Sequence, residues 1–172
     1  MEDTLPPGFT RVKHEFEPVY NNDSKILILG SFPSVKSREN NFYYGHSQNR
    51  FWKLMAQLLH APVPVTIEEK KALLLEHGIA LWDVVSECDI HGSSDLSIRN
   101  VIPANINQVL RSADIELIIA NGATAFKLYQ KYCQEHTGRE AVKCPSTSPA
   151  NAVFTLERLA ESWGEVIAPF LS

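Results

Sequence analysis

The sequence has little cysteine, no long apolar run and no excess of positive charge. Its three cysteines, Cys88, Cys133 and Cys144, are an odd number at wide spacings. They exclude the disulfide framework of a small secreted scaffold and suit free thiols in a reducing compartment. They also fall one short of an all-cysteine iron–sulfur or zinc cluster. No apolar stretch approaches the ~18 residues of a membrane-spanning helix. The N-terminal MEDTLPPGF has neither the basic flank nor the apolar segment of a secretory signal. A cytoplasmic location with no membrane contact is therefore expected. Lys plus Arg number 16 against 20 Asp plus Glu, a net charge of −4. That excludes a protein coated in positive charge and leaves room for a local basic footprint.

What is present is an ordinary globular composition, 44% hydrophobic and 21% charged over 172 residues. The length fits one domain with a real core. Residues 1–24 are polar and proline-rich and read as an arm packing on a single domain over 25–172. That domain opens with Ile26–Leu29, a continuous apolar run ended by Gly30, as in a buried parallel strand. Residues 35–48 read as loop. Asn49–Leu59 reads as a helix with Phe51, Trp52, Met55, Leu58 and Leu59 on one face, stopped by Pro62 and Pro64. Thr66 and Glu69 form a capping-box pattern for a helix over 67–77, closed by Gly78.

Further strands are expected at 79–85, 116–120 and 141–144, with a long loop over 86–98. Helices are expected at 105–111, 123–134 and 154–171. Strands alternate with helices throughout, so the class is α/β with a mostly parallel sheet. In such sheets a ligand sits beyond the carboxyl ends of the strands. That rule selects four loops: 30–48, 86–98, 121–123 and 145–151.

Two of these loops are rich in chemistry. In NFYYGHSQNRFWKLM, Phe42, Tyr43 and Tyr44 can offer a face for a base to stack on, and over the wider segment 36–53 the basic residues Lys36, Arg38, Arg50 and Lys53 interleave with aromatics as at a nucleic-acid surface. The same residues also fit a core-facing aromatic cluster with a solvated rim. Asn49 carries an amide donor and acceptor able to orient a water or a base edge, and it equally fits a helix cap. In PSTSPAN, Ser146, Thr147, Ser148 and Asn151 can hydrogen-bond phosphate oxygens or simply form a surface turn. In GSFPS, Gly30 lets the backbone approach a ligand. Neither a dinucleotide fingerprint nor a P-loop is present.

GSFPS, FYYGHSQNRFW, LWDVV, NGATAF and PSTSPAN, in this order and spacing, resemble the uracil-DNA glycosylase superfamily, closest to its hypoxanthine (deoxyinosine) branch. The resemblance spans roughly residues 24–170. It implies a three-layer α/β/α sandwich with a short parallel sheet. It implies hydrolysis of the N-glycosidic bond of a deaminated base in DNA, leaving an abasic site. A base must leave the stack for this, at a cost of a few kcal/mol.

The departures matter. Phe32 stands where many relatives carry Asn or Asp to position water. Cys144 stands where many carry His. Both argue against a site for uracil and match the hypoxanthine branch, whose implied catalytic amide is here Asn49. By the same resemblance Gly30, Ser31, Phe32, Phe42, Tyr43, Gly45 and His46 bind the base. Arg50, Ser146, Thr147, Ser148 and Asn151 bind DNA. The enzyme is expected to be monofunctional and monomeric, without metal or cofactor. Uracil or mismatch specificity, or non-catalytic binding of nucleic acid or nucleotide, are the alternatives.

Overall fold

The computed structural model describes residues 5–171. Residues 1–4 of the expected arm, and Ser172, lie outside them. The strands are β1 (Phe9–Lys13), β2 (Ile26–Gly30), β3 (Ile79–Asp83), β4 (Val85–His91), β5 (Arg99–Pro103), β6 (Leu117–Asn121) and β7 (Val142–Cys144). The helices are α1 (Val35–Asn40), α2 (Phe51–Leu58), α3 (Ile67–Glu76), α4 (Asn107–Ser112), α5 (Ala123–Tyr132), α6 (Gln134–Thr137) and α7 (Leu156–Ile167).

Four strands form a parallel sheet in the order β3-β2-β6-β7. Side chains alternate across a strand, and β2 shows the consequence. Ile26 and Ile28 join Phe51, Met55, Leu74 and Trp163 on one face of the sheet. Leu27 and Leu29 join Val109, Ile118 and Tyr129 on the other. Every residue of β2 and β6 is buried, because helices cover both faces. Helices α2, α3 and α7 contribute to the first layer, and α4 and α5 to the second. The structure is the expected three-layer sandwich.

The helix signals hold at their starts. The Thr66 hydroxyl accepts from the Glu69 amide at 3.1 Å, capping α3. Helix α7 is capped by Thr155 and buries Leu159, Trp163 and Ile167, one residue in every four along a single face. Among the described residues no helix is long and apolar enough to cross a membrane.

Three expectations are corrected. Within the arm, β1 pairs antiparallel with β4, which pairs with β5 in a second, three-stranded sheet. The expected loop over 86–98 thus begins as a strand. Its polar residues conceal the strand's alternation. Glu87 and Asp89 are held by Arg11 of β1 at 2.8 and 3.2 Å, while Cys88 and Ile90 are buried. The expected loop over 35–48 begins with α1, whose cap is Ser34 Oγ accepting from Ser37 N at 3.2 Å. Six residues with Val35 as their one apolar side chain carry too little apolar periodicity to announce a helix.

Candidate active site

A cleft of about 480 Å³ opens at the carboxyl edge of the parallel sheet, within the ~300–1,000 Å³ of ordinary ligand pockets. All four loops selected from the sequence line it. Three strands contribute their last residues, Gly30, Asp83 and Asn121. These buried positions form the floor, and the exposed segment Ser93–Leu96 stands at the mouth.

A chain of hydrogen bonds crosses the cleft from α2 to the aromatic loop. Asn49 Oδ1 accepts from Phe51 N at 2.9 Å and from Thr147 Oγ1 at 2.9 Å. Thr147 Oγ1 accepts from Asn121 Nδ2 at 3.1 Å, and Asn121 Oδ1 accepts from Thr147 N at 3.1 Å. Asn121 Nδ2 also donates to the Tyr44 hydroxyl at 3.1 Å. Backbone N–H groups only donate, so both amides have a single sensible orientation. Among the described residues, Asn49 Nδ2 has no partner and lines the cleft. A fixed acceptor and a free donor are what a preorganised site requires.

The floor needs a glycine. A methyl group at Gly30 would collide with the Asp83 carboxylate and come within 2.9 Å of the Tyr44 hydroxyl. Asp83 Oδ2 and His14 Nε2 lie 2.8 Å apart, with both side chains at most 5% exposed. His14 follows β1, so the N-terminal segment closes the floor. Tyr44 adopts a left-handed backbone, φ 54°, uncommon for a bulky residue. Its ring stacks on Phe51 at 4.2 Å. Burial, reinforced by the charge of Asp83, pushes its hydroxyl pKa upward, so Tyr44 is a neutral donor. The neighbouring Tyr43 hydroxyl donates to the Glu17 carbonyl at 2.8 Å.

At the mouth, Ser31 Oγ donates to Asp95 Oδ1 at 2.9 Å. Desolvation, helped by the charge of Asp83 and opposed by the Ser31 hydrogen bond, pushes the Asp95 carboxyl up to about 6. Its segment is tied to α1, where Val35 N donates to Ser93 Oγ at 2.9 Å and Arg38 Nη2 to the Gly92 carbonyl at 2.6 Å. His46 Nδ1 accepts from Gln48 N at 3.1 Å, leaving the ring proton of the neutral form on Nε2. Among the described residues no cluster of three or more His, Cys, Asp or Glu is placed to hold a metal ion.

Of the expected site residues, Gly30, Ser31, Phe32, Tyr43, His46, Asn49, Ser146, Thr147 and Ser148 line the cleft, but Thr147, expected on DNA, is fully buried with its hydroxyl bonded to Asn49 and Asn121. Four others do not line it. Phe42 is 4% exposed and stacks on Trp52 at 6.0 Å, within the core. The Gly45 amide donates to Ser37 Oγ at 2.9 Å, bracing the aromatic loop. Arg50 was expected to face DNA. Its guanidinium instead turns inward to the carbonyls of Thr147, Ser148, Asn151 and Phe154. Asn151 Nδ2 donates to the Ser146 carbonyl at 3.1 Å, within its own loop.

Asp83, Asp95 and Asn121 were not anticipated from the sequence, although each lies in or beside a selected loop, and Tyr44, expected only as a stacking face, contributes its hydroxyl. Position at a strand's carboxyl end was the usable signal for Asp83 and Asn121. His14 had none, because only tertiary pairing brings it to the floor.

The family model described as the uracil DNA glycosylase superfamily matches residues 17–166. A protein of Methanosarcina acetivorans named hypoxanthine DNA glycosylase is 32% identical over 152 residues, 87% of this chain and 95% of the relative. One of the same name from Methanosarcina barkeri is 31% identical over 115 residues, 64% of this chain and 71% of the relative. A solution NMR structure from Methanosarcina acetivorans, described as that of a proposed uracil DNA glycosylase, is similar with a TM-score of 0.75 and 31% identity. The match covers 88% of this chain and 93% of that one. With the family model covering most of the chain and its motifs converging on one cleft, the protein belongs to the uracil DNA glycosylase superfamily.

Proposed function

We propose that the protein hydrolyses the N-glycosidic bond of hypoxanthine in DNA, leaving an abasic site. The observation that carries the reading is Asn49, whose acceptor is saturated and whose amide donor is free in the cleft. Relatives named hypoxanthine DNA glycosylase support the choice of base.

The target nucleotide leaves the stack and enters the cleft base first. As the C1′–N9 bond breaks, positive charge grows on the sugar and negative charge on the purine. Asn49 Nδ2 is placed to stabilise the purine, a task for a fixed donor rather than a nucleophile. The Tyr44 hydroxyl already accepts from Asn121 and retains its own proton to donate. Asp83 Oδ1, without a hydrogen-bond partner among the described residues, offers an acceptor on the floor. Hypoxanthine carries a ring N–H at N1 where adenine carries a lone pair. An acceptor at that edge therefore favours the deaminated base. Phe32 and Tyr43 supply apolar wall, and the hydroxyls of Ser146 and Ser148, on the cleft's rim loop, are the groups offered to DNA phosphates. His46 is a polar wall group.

The reading includes action as a monomer in the cytoplasm; three buried cysteines without a disulfide fit a reducing compartment. Single-turnover incubation with a duplex containing deoxyinosine tests the reaction. Free hypoxanthine and an alkali-labile site are expected. An intact strand at enzyme excess would refute it.

A further inference from the structure

Hydrolysis needs a group that accepts the proton of the attacking water, and Asn49 is not that group. Both lone pairs of its carbonyl oxygen are engaged, by Phe51 N–H and by Thr147 O–H. Two carboxylates line the cleft, Asp83 and Asp95. Asp83 belongs to the floor, 4% exposed and held by His14. Asp95 stands at the mouth, on an exposed turn. A base that enters first fills the depth, so its sugar C1′ lies toward the mouth. Ser31 Oγ fixes Asp95 Oδ1 at 2.9 Å, and Oδ2 has no hydrogen-bond partner among the described residues. The turn itself is braced, with Ser97 Oγ donating to the Ser94 carbonyl at 2.6 Å and accepting from His91 N at 2.9 Å.

We propose that Asp95 is a catalytic residue whose carboxylate holds and deprotonates the water that attacks C1′ of the flipped nucleotide. The inference rests on the hydrolysis proposed above. The water oxygen bonds to C1′ as the C1′–N9 bond breaks, and the bonding pair leaves with the purine. One water proton passes to Asp95 and from there to the departing base or solvent. The products are free base and a deoxyribose bearing a 1′-hydroxyl, with no change of oxidation state. The same negative charge, next to the sugar, stabilises its cationic transition state.

The sequence showed Phe32 where a water-positioning side chain was expected. Ser31, its neighbour, is the residue to which Asp95 is bonded, so a carboxylate reaches that loop from another strand connection. With its pKa raised to about 6, Asp95 is ionised at neutral pH and still basic enough to take a proton. The titratable groups that share its electrostatic surroundings are Asp83, Tyr44 and Cys88; His14 is bonded to Asp83, His46 lines the same cleft, and Arg38 is bonded to the turn at Gly92. Burial raises Tyr44, and raises Cys88 to about 11, so neither titrates near 6.

The test is single-turnover base release between pH 4.5 and 8 by the wild type, Asp95→Asn and Asp95→Glu. Duplexes carrying hypoxanthine, xanthine or uracil are run in parallel, with DNA affinity and melting temperature measured on each protein. The wild-type rate should rise to a plateau with a midpoint near 6. Asp95→Asn keeps an acceptor for Ser31 and should bind DNA normally. It should release base about 10²–10⁴-fold more slowly, the usual worth of a general base, and lack the midpoint. Asp95→Glu should recover part of the rate with its own midpoint. An Asp95→Asn protein with the full plateau rate, or with the midpoint intact, overturns the proposal; so does a wild-type rate that falls as pH rises through 6. Release of uracil or xanthine alone overturns the hypoxanthine reading while Asp95 is still judged on the base released. Release of no base overturns both.

Discussion

Thr147 Oγ1 stands 2.9 Å from Asn49 Oδ1, although 98 residues separate the two in the chain. The contact joins the loop after β7 to the start of α2. Together with the Phe51 N–H, it holds the Asn49 oxygen in place so that the amide nitrogen faces the cleft. Thr147→Val keeps the shape and removes the hydroxyl. Base release should slow while DNA binding persists, because the Asn49 donor is no longer aimed. Asn49→Ala should slow release by about a hundred- to thousandfold, corresponding to roughly 2.7–4 kcal/mol for one positioned donor. Loss of a helix cap alone would cost about 1 kcal/mol of stability and leave the rate intact. Melting and single-turnover rate on the same variant separate the two roles.

Gly30→Ala should fold and lose activity. Its φ is not in the left-handed region, so the backbone accepts a side chain. The new methyl meets Asp83 and Tyr44, both fixed groups of the floor. Base release should drop steeply with a modest loss of melting temperature. A fully active Gly30→Ala enzyme would show that the base does not approach this floor.

Asp95 should cost the protein a small amount of stability at neutral pH, small because the turn that carries it is exposed to solvent. Its folded-state pKa of about 6 lies above the ordinary 3.8, so the folded state holds the proton more tightly than the unfolded chain. The group's favourable contribution is complete below pH 3.8 and is lost as pH rises through 6. Asp95→Asn should therefore melt higher than the wild type above pH 6, the gap closing toward pH 4. Equal melting curves across that range would deny the raised pKa.

Arg50 should matter for the loop and not for salt. Each phosphate contact contributes about −0.9 to the slope of log K against log salt. Arg50→Gln should leave that slope unchanged, because the guanidinium is bonded to loop carbonyls. Thermal stability and base release should both fall as residues 147–154 lose their brace. A slope shallower by one contact would place Arg50 on DNA after all.

Hypoxanthine should leave faster than uracil from otherwise identical duplexes under single turnover. Phe32 and Cys144 replace the side chains expected of a uracil site, and the Cys144 thiol is buried, 1% exposed. It does not line the cleft and so offers nothing to a pyrimidine carbonyl. Equal or faster uracil release would reverse the ranking.

The layers of this fold were legible because they follow from local chemistry. An apolar run closed by Gly30, a Thr66–Glu69 cap and the stripe Leu159, Trp163, Ile167 each state a period and a boundary within a few residues. The alternation of strands and helices then forces a parallel sheet, and the edge of that sheet names the loops that hold the site. The motif around Asn49 was legible as a string for the same reason. What the sequence by itself left open is which way side chains turn when distant segments meet. Phe42 and Tyr43 are adjacent aromatics buried in one core cluster, yet only Tyr43 also reaches the wall of the cleft. Arg50 reads as a free cation until the carbonyls of a loop about a hundred residues away surround it. His14 reaches Asp83 only because β1 pairs with β4, in a sheet whose polar strands mimic a loop. Local periodicity decides elements; packing between elements decides which polar groups are satisfied, and only the unsatisfied ones remain to do chemistry.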